Sequence, residues 1–376
     1  MNDTEKSTLL VDGAAAFEEI LHCIDAAQSS VLINMFIWRE DAIGIRLAGA
    51  VLRAAERGVK VSISVDRVGM VLERSEEHGR SFFHRAPGIA EWFKIAVLRV
   101  SYPKNCGETE KSCLCEGLLE QILSHPNITV DKDRQKSDHS KYYIIDGKIL
   151  IFGGINVEDK ECGADCAGRV YQDYMLKLEG EEYVSAFTDK LERNLNTADG
   201  YRFHMNNKTI APAVFEMKES FLSVINGAER ELVIVMAYFA PIPEIMDAIV
   251  AAWKRGVQIS IMIPSQANFQ NDSNRKTVST IMKRCNNDIR VFLSPKMVHT
   301  KLISSEKSTM FGSCNITNLA FTLLGELDIE LENDDTPLIA HIKKSVDENL
   351  ALADKICDYR EIRYSPITAW IEGRFN

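Results

Sequence analysis

Two histidine–lysine pairs are the residues of this chain best suited to chemistry. His139 and Lys141 stand two residues apart, and so do His299 and Lys301. On an extended segment that spacing directs both side chains to one face, and each pair is predicted to lie on a strand. An imidazole beside a fixed ammonium suits a phosphate. The imidazole can attack phosphorus or move a proton, and the ammonium neutralises the oxygens. Each pair opens a block of similar design: HSKYYIIDGKILIFGGIN over 139–156 and HTKLISSEKSTMFGSCN over 299–315. Asp146-Gly147 is a hairpin signal between two apolar runs. The return strands end in Gly153-Gly154 and Gly312-Ser313, where glycine lets backbone approach an anion closely. The amides of Asn156 and Asn315 can then donate to its oxygens. A lone His-x-Lys would carry little weight, because a strand histidine is more often a satisfied structural residue. Two blocks with the same residues in the same order are hard to explain by packing alone.

The elements that position these blocks are repeated too. Residues 28–69 and 229–268 both read as apolar strand, loop, amphipathic helix, Arg-Gly-Val, apolar strand. Ile45, Ala48, Leu52 and Ala55 share one helical face, as do Ile245, Ala248, Ile249 and Ala252. Arg57-Gly58 and Arg255-Gly256 are C-terminal stops with a cation in the last turn. Val59–Val65 and Val257–Ile263 then read as buried strands. This order predicts an α/β fold, with a mixed sheet flanked by helices in each of two similar lobes. The lobes are placed at 1–195 and 215–376, joined by a polar linker over Leu195–Ala213. The first lobe carries an insertion, about 78–127. Its segment SFFHRAPGIAEWFKIAVLRVSYP sets Phe82, Phe83, Trp92 and Phe93 near Arg80, Arg85 and Lys94. That mixture fits either a helix packed on the lobe or a lipid-facing helix.

Composition narrows the function classes. The chain has 376 residues, 45% of them hydrophobic and 26% charged, which is ordinary for a globular protein. Its net charge of -10 disfavours broad contact with nucleic acid. No apolar run reaches the roughly 18 residues of a transmembrane span. The first residues, MNDTEKSTLL, lack the pattern of a secretory signal. The expected location is therefore the cytoplasm, with at most peripheral contact to the inner face of the membrane. Nine cysteines without an export signal read as reduced thiols. Neither Cys106, Cys113 and Cys115 nor Cys162 and Cys166 has the paired spacing of a structural zinc site.

The two blocks resemble the signature of the phospholipase D superfamily: His-x-Lys, four residues, Asp, then Gly-Gly/Ser-x-Asn. His139, Lys141, Asp146, Gly153, Gly154 and Asn156 match it in the first copy. His299, Lys301, Gly312, Ser313 and Asn315 match it in the second, where Glu306 replaces the usual Asp. Within the superfamily the chain is most similar to bacterial cardiolipin synthases that lack N-terminal membrane spans. FIWRED near Asp41, YQDYMLKLEG at 171–180, AYFAP at 237–241 and GELDIEL at 325–331 carry that similarity. The resemblance covers nearly the whole chain.

The resemblance implies two lobes packed about a pseudo-twofold axis and one phosphodiester served by both histidines. It implies a phosphohistidine intermediate, with His139 as nucleophile and His299 as acid/base by analogy; the near-symmetric halves leave their order open. Lys141, Lys301, Asn156 and Asn315 would hold the phosphoryl oxygens. Asp173 and Glu326 would orient the imidazoles from behind, and Asp146 and Glu306 would be structural. No cofactor or metal is called for, since two lysines supply the charge. The expected substrate is a glycerophospholipid at a membrane surface, with phosphatidyl transfer to a lipid hydroxyl. A hydrolytic phospholipase D or a nuclease of the same superfamily are the alternatives. A non-enzymatic scaffold is disfavoured by the complete His and Lys pairs. The acceptor, head-group preference and oligomeric state stay open.

Overall fold

Alternation of apolar strands with amphipathic helices builds the first unit around one sheet. The computed structural model describes residues 6–76, 79–84, 86–99, 114–334 and 336–374. These divide into two compact units, Lys6–Thr188 and Asp189 onward. In the first, β1 (Ser7–Val11) leads into α1 (Asp12–Ala26). The repeat follows as β2 (Ser30–Met35), α2 (Ala42–Glu56) and β3 (Lys60–Val65). Next come α3 (Arg67–Ser75), α4 (Ile89–Leu98), α5 (Leu114–Ser124) and β4 (Ile128–Asp131). The hairpin of β5 (Tyr142–Ile145) and β6 (Ile149–Gly153) precedes β7 (Tyr171–Gln172) and β8 (Tyr174–Glu179). The sheet order is β1-β8-β6-β5-β2-β3-β4. β2, β3 and β4 run parallel; the other pairings are antiparallel.

Local chemistry explains the boundaries. Asp41 caps α2 by accepting the Gly44 N–H at 3.0 Å. The helix stops where Gly58 adopts φ 97°, a left-handed conformation open to glycine. Phe17, Ile20, Ile33, Leu47, Val51, Ile63, Tyr143 and Ile151 meet in the core between helices and sheet. Leu47 is fully buried, so truncation to Ala would cost about 2–5 kcal/mol.

In the second unit, α6 (Glu181–Arg193) carries the chain across the boundary. β9 (Tyr201–Asn207), β10 (Val214–Phe215) and α7 (Met217–Gly227) come first. The repeat is β11 (Glu231–Met236), the short β12 (Phe239–Ala240), α8 (Pro243–Lys254) and β13 (Gln258–Pro264). After it come α9 (Asn271–Arg284), β14 (Arg290–Ser294), β15 (Met297–Val298), β16 (Lys301–Ser305) and β17 (Ser308–Gly312). β18 (Ile316–Thr317), α10 (Asn318–Thr322), β19 (Glu326–Glu332), α11 (Pro337–Leu352), β20 (Asp354–Ile356) and α12 (Pro366–Glu372) complete it. The sheet order is β10-β9-β19-β17-β16-β11-β13-β14-β20. From β9 to β14 this repeats the order of the first unit strand for strand. Its core includes Phe221, Ile234, Ile249, Ile261, Met282 and Ile303.

Several expectations change. Leu195–Ala213, read as a linker, contains β9, the counterpart of β1. Its polar residues misled because β9 pairs with β19 across more than a hundred residues, a partnership no local pattern reveals. The insertion's aromatics, left open between packing on the lobe and facing lipid, divide: Phe82 and Phe83 are buried against Trp38. Arg85 and His78 lie outside the described residues. Cys166 is disulfide-bonded, against the expectation of reduced thiols. That expectation came from the compartment, which sets redox poise but not whether two sulfurs come within bonding reach. Cys23, Cys162, Cys285, Cys314 and Cys357 are free; Cys106 and Cys113 lie outside the described residues. Among the described residues no helix is long and apolar enough to cross a membrane.

Candidate active-site residues

The segment entering β5 is held before it reaches the sheet. Asp66, at the end of β3, accepts the N–H groups of Val68 (2.8 Å), Lys136 (3.3 Å) and Asp138 (2.5 Å). Asp138 in turn accepts the Ser140 N–H at 3.0 Å, and the Asn34 amide donates to Asp138 at 3.0 Å and to the Ser140 carbonyl at 3.1 Å. His139 sits between these anchors, ahead of the strand rather than on it as predicted. Lys141 is fully buried and folds back, so that Nζ donates to the His139 carbonyl at 2.5 Å. Nζ also lies over the Phe36 ring, 5.5 Å from its centre, while that ring meets the His139 imidazole edge-to-face at 4.8 Å. A buried ammonium needs such partners to remain charged.

The second unit reproduces the arrangement. Lys301 is buried, donates to the His299 carbonyl, and places Nζ 3.1 Å from His299 Nδ1. Tyr238 meets the His299 ring edge-to-face at 6.2 Å, and its hydroxyl donates to Asn268 at 2.7 Å. His299 is buried, whereas His139 is partly exposed. Phe36 and Tyr238 were not singled out from the sequence. Aromatics after each first repeat strand were the available signal. They do not align, since Phe36 follows β2 by one residue and Tyr238 follows β11 by two.

The turn after each return strand is backed by a carboxylate. A Cβ on Gly154 would run into the carboxylate of buried Asp173. The Asp173 carboxylate itself accepts the Tyr174 N–H at 2.8 Å. In the second unit Ser313 donates to buried Glu326 at 2.5 Å and accepts the Leu327 N–H at 3.0 Å. Asn156 and Asn315 are buried beside these turns; Asn315 Oδ1 accepts the Tyr238 N–H at 3.3 Å, while Asn156 Oδ1 has no hydrogen-bond partner among the described residues. Asp328 is a further buried carboxyl that sequence reading missed. Burial, and then nearby Glu326, push it up to about 8 although the Cys314 N–H donates to it at 3.0 Å.

Asp146 and Glu306 stand at the far ends of the hairpins. Asp146 accepts the N–H groups of Gln28, Ser29 and Ser30 at 2.9, 2.7 and 2.9 Å. Glu306 accepts those of Glu229, Arg230 and Glu231 at 2.9, 3.1 and 3.2 Å. Each therefore ties its hairpin to the start of the first repeat strand. Asp146 and Gly147 both have positive φ, 53° and 66°, as the Asp-Gly turn requires.

Past Asn156, a buried charge network fixes the chain. Arg39 pairs with Glu158 and with Glu76 at 2.9 Å, and Lys160 bonds Glu76 at 2.7 Å. Asp159 accepts the Ala42 and Ile43 N–H groups at the start of α2, at 3.1 and 2.7 Å, and its own N–H donates to Asp41 at 2.7 Å. Burial, and then Asp159, push Asp41 up to about 7.

A family model described as cardiolipin synthase, PLD-like domain, matches residues 20–195 and 221–350. A cardiolipin synthase of Clostridium perfringens is 22% identical over 381 residues, covering 93% of this chain and 70% of that protein. Cardiolipin synthase A of Pseudomonas entomophila is 26% identical over 340 residues, covering 85% of this chain and 64% of that protein. The fold is similar to that of phosphatidylserine synthase from Haemophilus influenzae, with a TM-score of 0.70 at 12% identity over 99% of this chain and 93% of that one. With both repeated blocks inside the matched segments, the chain belongs to the family of cardiolipin synthases with PLD-like domains, enzymes of phospholipid metabolism.

Proposed function

We propose that the chain is a phosphatidyltransferase of cardiolipin synthase type, acting on glycerophospholipid phosphodiesters. The observation that carries this reading is the twice-built His-x-Lys unit, each with a buried lysine folded onto its histidine and an aromatic ring against the imidazole. The names of the relatives supply the lipid class.

In this reading neutral His139 attacks phosphorus, and the bond from phosphorus to the leaving glycerol oxygen breaks. Protonated His299 gives that oxygen its proton. A second lipid hydroxyl then loses its proton to His299 and attacks phosphorus, and the phosphorus–nitrogen bond breaks to release His139. Lys141 and Lys301 neutralise the non-bridging oxygens, and Asn156 and Asn315 donate to them. Asp173 and Glu326 stabilise the imidazolium from behind. Phosphatidylglycerol serves as donor and acceptor, giving cardiolipin and glycerol.

The test is product analysis on phosphatidylglycerol vesicles, with DNA offered separately. Cardiolipin plus glycerol supports the proposal. Phosphatidic acid alone would make the chain a hydrolase. DNA cleavage without lipid turnover would remove the lipid assignment.

A further inference from the structure

Helix α4 belongs to the insertion between β3 and β4, where the second unit has only α9. One face is secured to the lobe. Glu91 and Ile95 point inward, and Glu91 accepts from Arg67 at 2.7 and 2.9 Å and from the Gly88 N–H at 2.6 Å. The other face is apolar and open: Ile89 is 83% exposed, Trp92 57%, Phe93 62% and Val97 58%. Positions 89, 92, 93 and 97 form one stripe along a helix. Single exposed apolar residues are ordinary, but four contiguous ones mark an interaction surface.

Charge indicates the occupant. The chain carries a net charge of -10, yet the exposed charges of α4 and its cap are Lys94 and Arg99, both cations, with Arg99 Nε also donating to the Arg74 carbonyl at 3.1 Å. The helix's one acid, Glu91, is turned inward and paired. Trp92 and Phe93 pack edge-to-face at 5.4 Å, giving a broad aromatic edge with cations beside it. This combination matches the interfacial zone of a bilayer with anionic headgroups. A second protein copy fits less well. A ten-residue helix is about 15 Å long, and four side chains fall short of the roughly 800 Å² per partner that a stable interface buries.

We propose that the exposed face of α4 docks the chain on an anionic phospholipid surface, a proposal that rests on the lipid-transfer reading above. Trp92, Phe93 and Val97 enter the interface, and Lys94 and Arg99 meet the headgroups. Such binding is reversible, because one short helix buries little apolar area.

The experiment is sedimentation of the full chain with phosphatidylglycerol vesicles and with phosphatidylcholine vesicles. Wild type, Trp92→Ser/Phe93→Ser and Lys94→Glu are compared. Wild type should prefer phosphatidylglycerol vesicles and lose binding with added salt. The double variant should bind them at least about tenfold more weakly, and Lys94→Glu should narrow the preference between the two lipids. Turnover of a monomeric short-chain phosphatidylglycerol should match wild type in both variants. If the double variant sediments like wild type, or if it instead abolishes a solution dimer, the proposal is overturned. Absence of short-chain turnover in wild type would count against the enzymatic reading alone, since vesicle binding is measured separately.

Discussion

Asp328 stands where the first unit has Met175. Across the paired strands Gly312 faces Asp328, and Gly153 faces Met175, so the two sheets differ here by a buried carboxyl against a thioether. Burial, and then Glu326, raise Asp328 from 3.8 to about 8. A raised folded-state value means that its stabilising share is fully present below the unfolded value and is lost as pH rises through about 8. Asp328→Asn should therefore flatten the fall in Tm between about pH 5 and pH 9, and melt several degrees above wild type at the upper end. Parallel melting profiles would contradict it. Asp41 and Glu73, each raised to about 7 by burial first, act with the same sign in both proteins and cancel in the comparison.

Replacing either histidine tests the paired mechanism. His139→Ala and His299→Ala should each lower turnover of phosphatidylglycerol by on the order of 10³ or more, with circular dichroism unchanged. Near-native activity in either variant would eliminate the two-histidine reaction.

The pH profile of kcat/KM should be bell-shaped, because one histidine must be neutral while the other is protonated. Activity should also survive chelators, the positive charge coming from Lys141 and Lys301. Inactivation by a chelator that a divalent ion reverses would require a different mechanism.

Gly154→Ala probes the approach of the turn to Asp173. Its Cβ would meet the carboxylate, so either the turn or Asp173 must move. A loss of about 10- to 100-fold in kcat is expected, with melting only modestly lowered. An unchanged kcat would show that the position of Asp173 does not matter to turnover.

Glu306 should matter for the fold and not for the reaction. Burial opposes its charge, but the backbone N–H groups of Glu229, Arg230 and Glu231 and its own outweigh that and bring it down to about 2. Glu306→Asp keeps an acceptor like Asp146 and should hold activity within about twofold, whereas Glu306→Ala should lose about 1 kcal/mol, a typical net hydrogen-bond contribution. This share is present above the unfolded value of 4.5 and fades as pH falls through about 2, so the gap to wild type should close in acid. A drop in activity as large as that of the histidine variants would give Glu306 a direct role.

Residue order by itself determined the strand–helix–strand repeat and the two candidate blocks. These depend on local geometry: an i, i+2 pair on extended backbone, an Asp-Gly turn, and glycines where backbone comes close. Asp146 and Glu306 as structural residues came from the resemblance, and their role became physical only when each was found on three N–H groups more than seventy residues away. Tertiary structure decided everything that depends on distant pairing. It made β9 a strand through its register with β19. It brought Asp66 to the segment ahead of His139, set Phe36 and Tyr238 against the imidazoles from unmatched positions, and buried Asp328 beside Glu326. It also divided the aromatics of the insertion, taking Phe82 and Phe83 into the core and leaving Trp92 and Phe93 outside. A one-dimensional pattern states how apolar a residue is, but whether that residue is covered depends on which distant element reaches it.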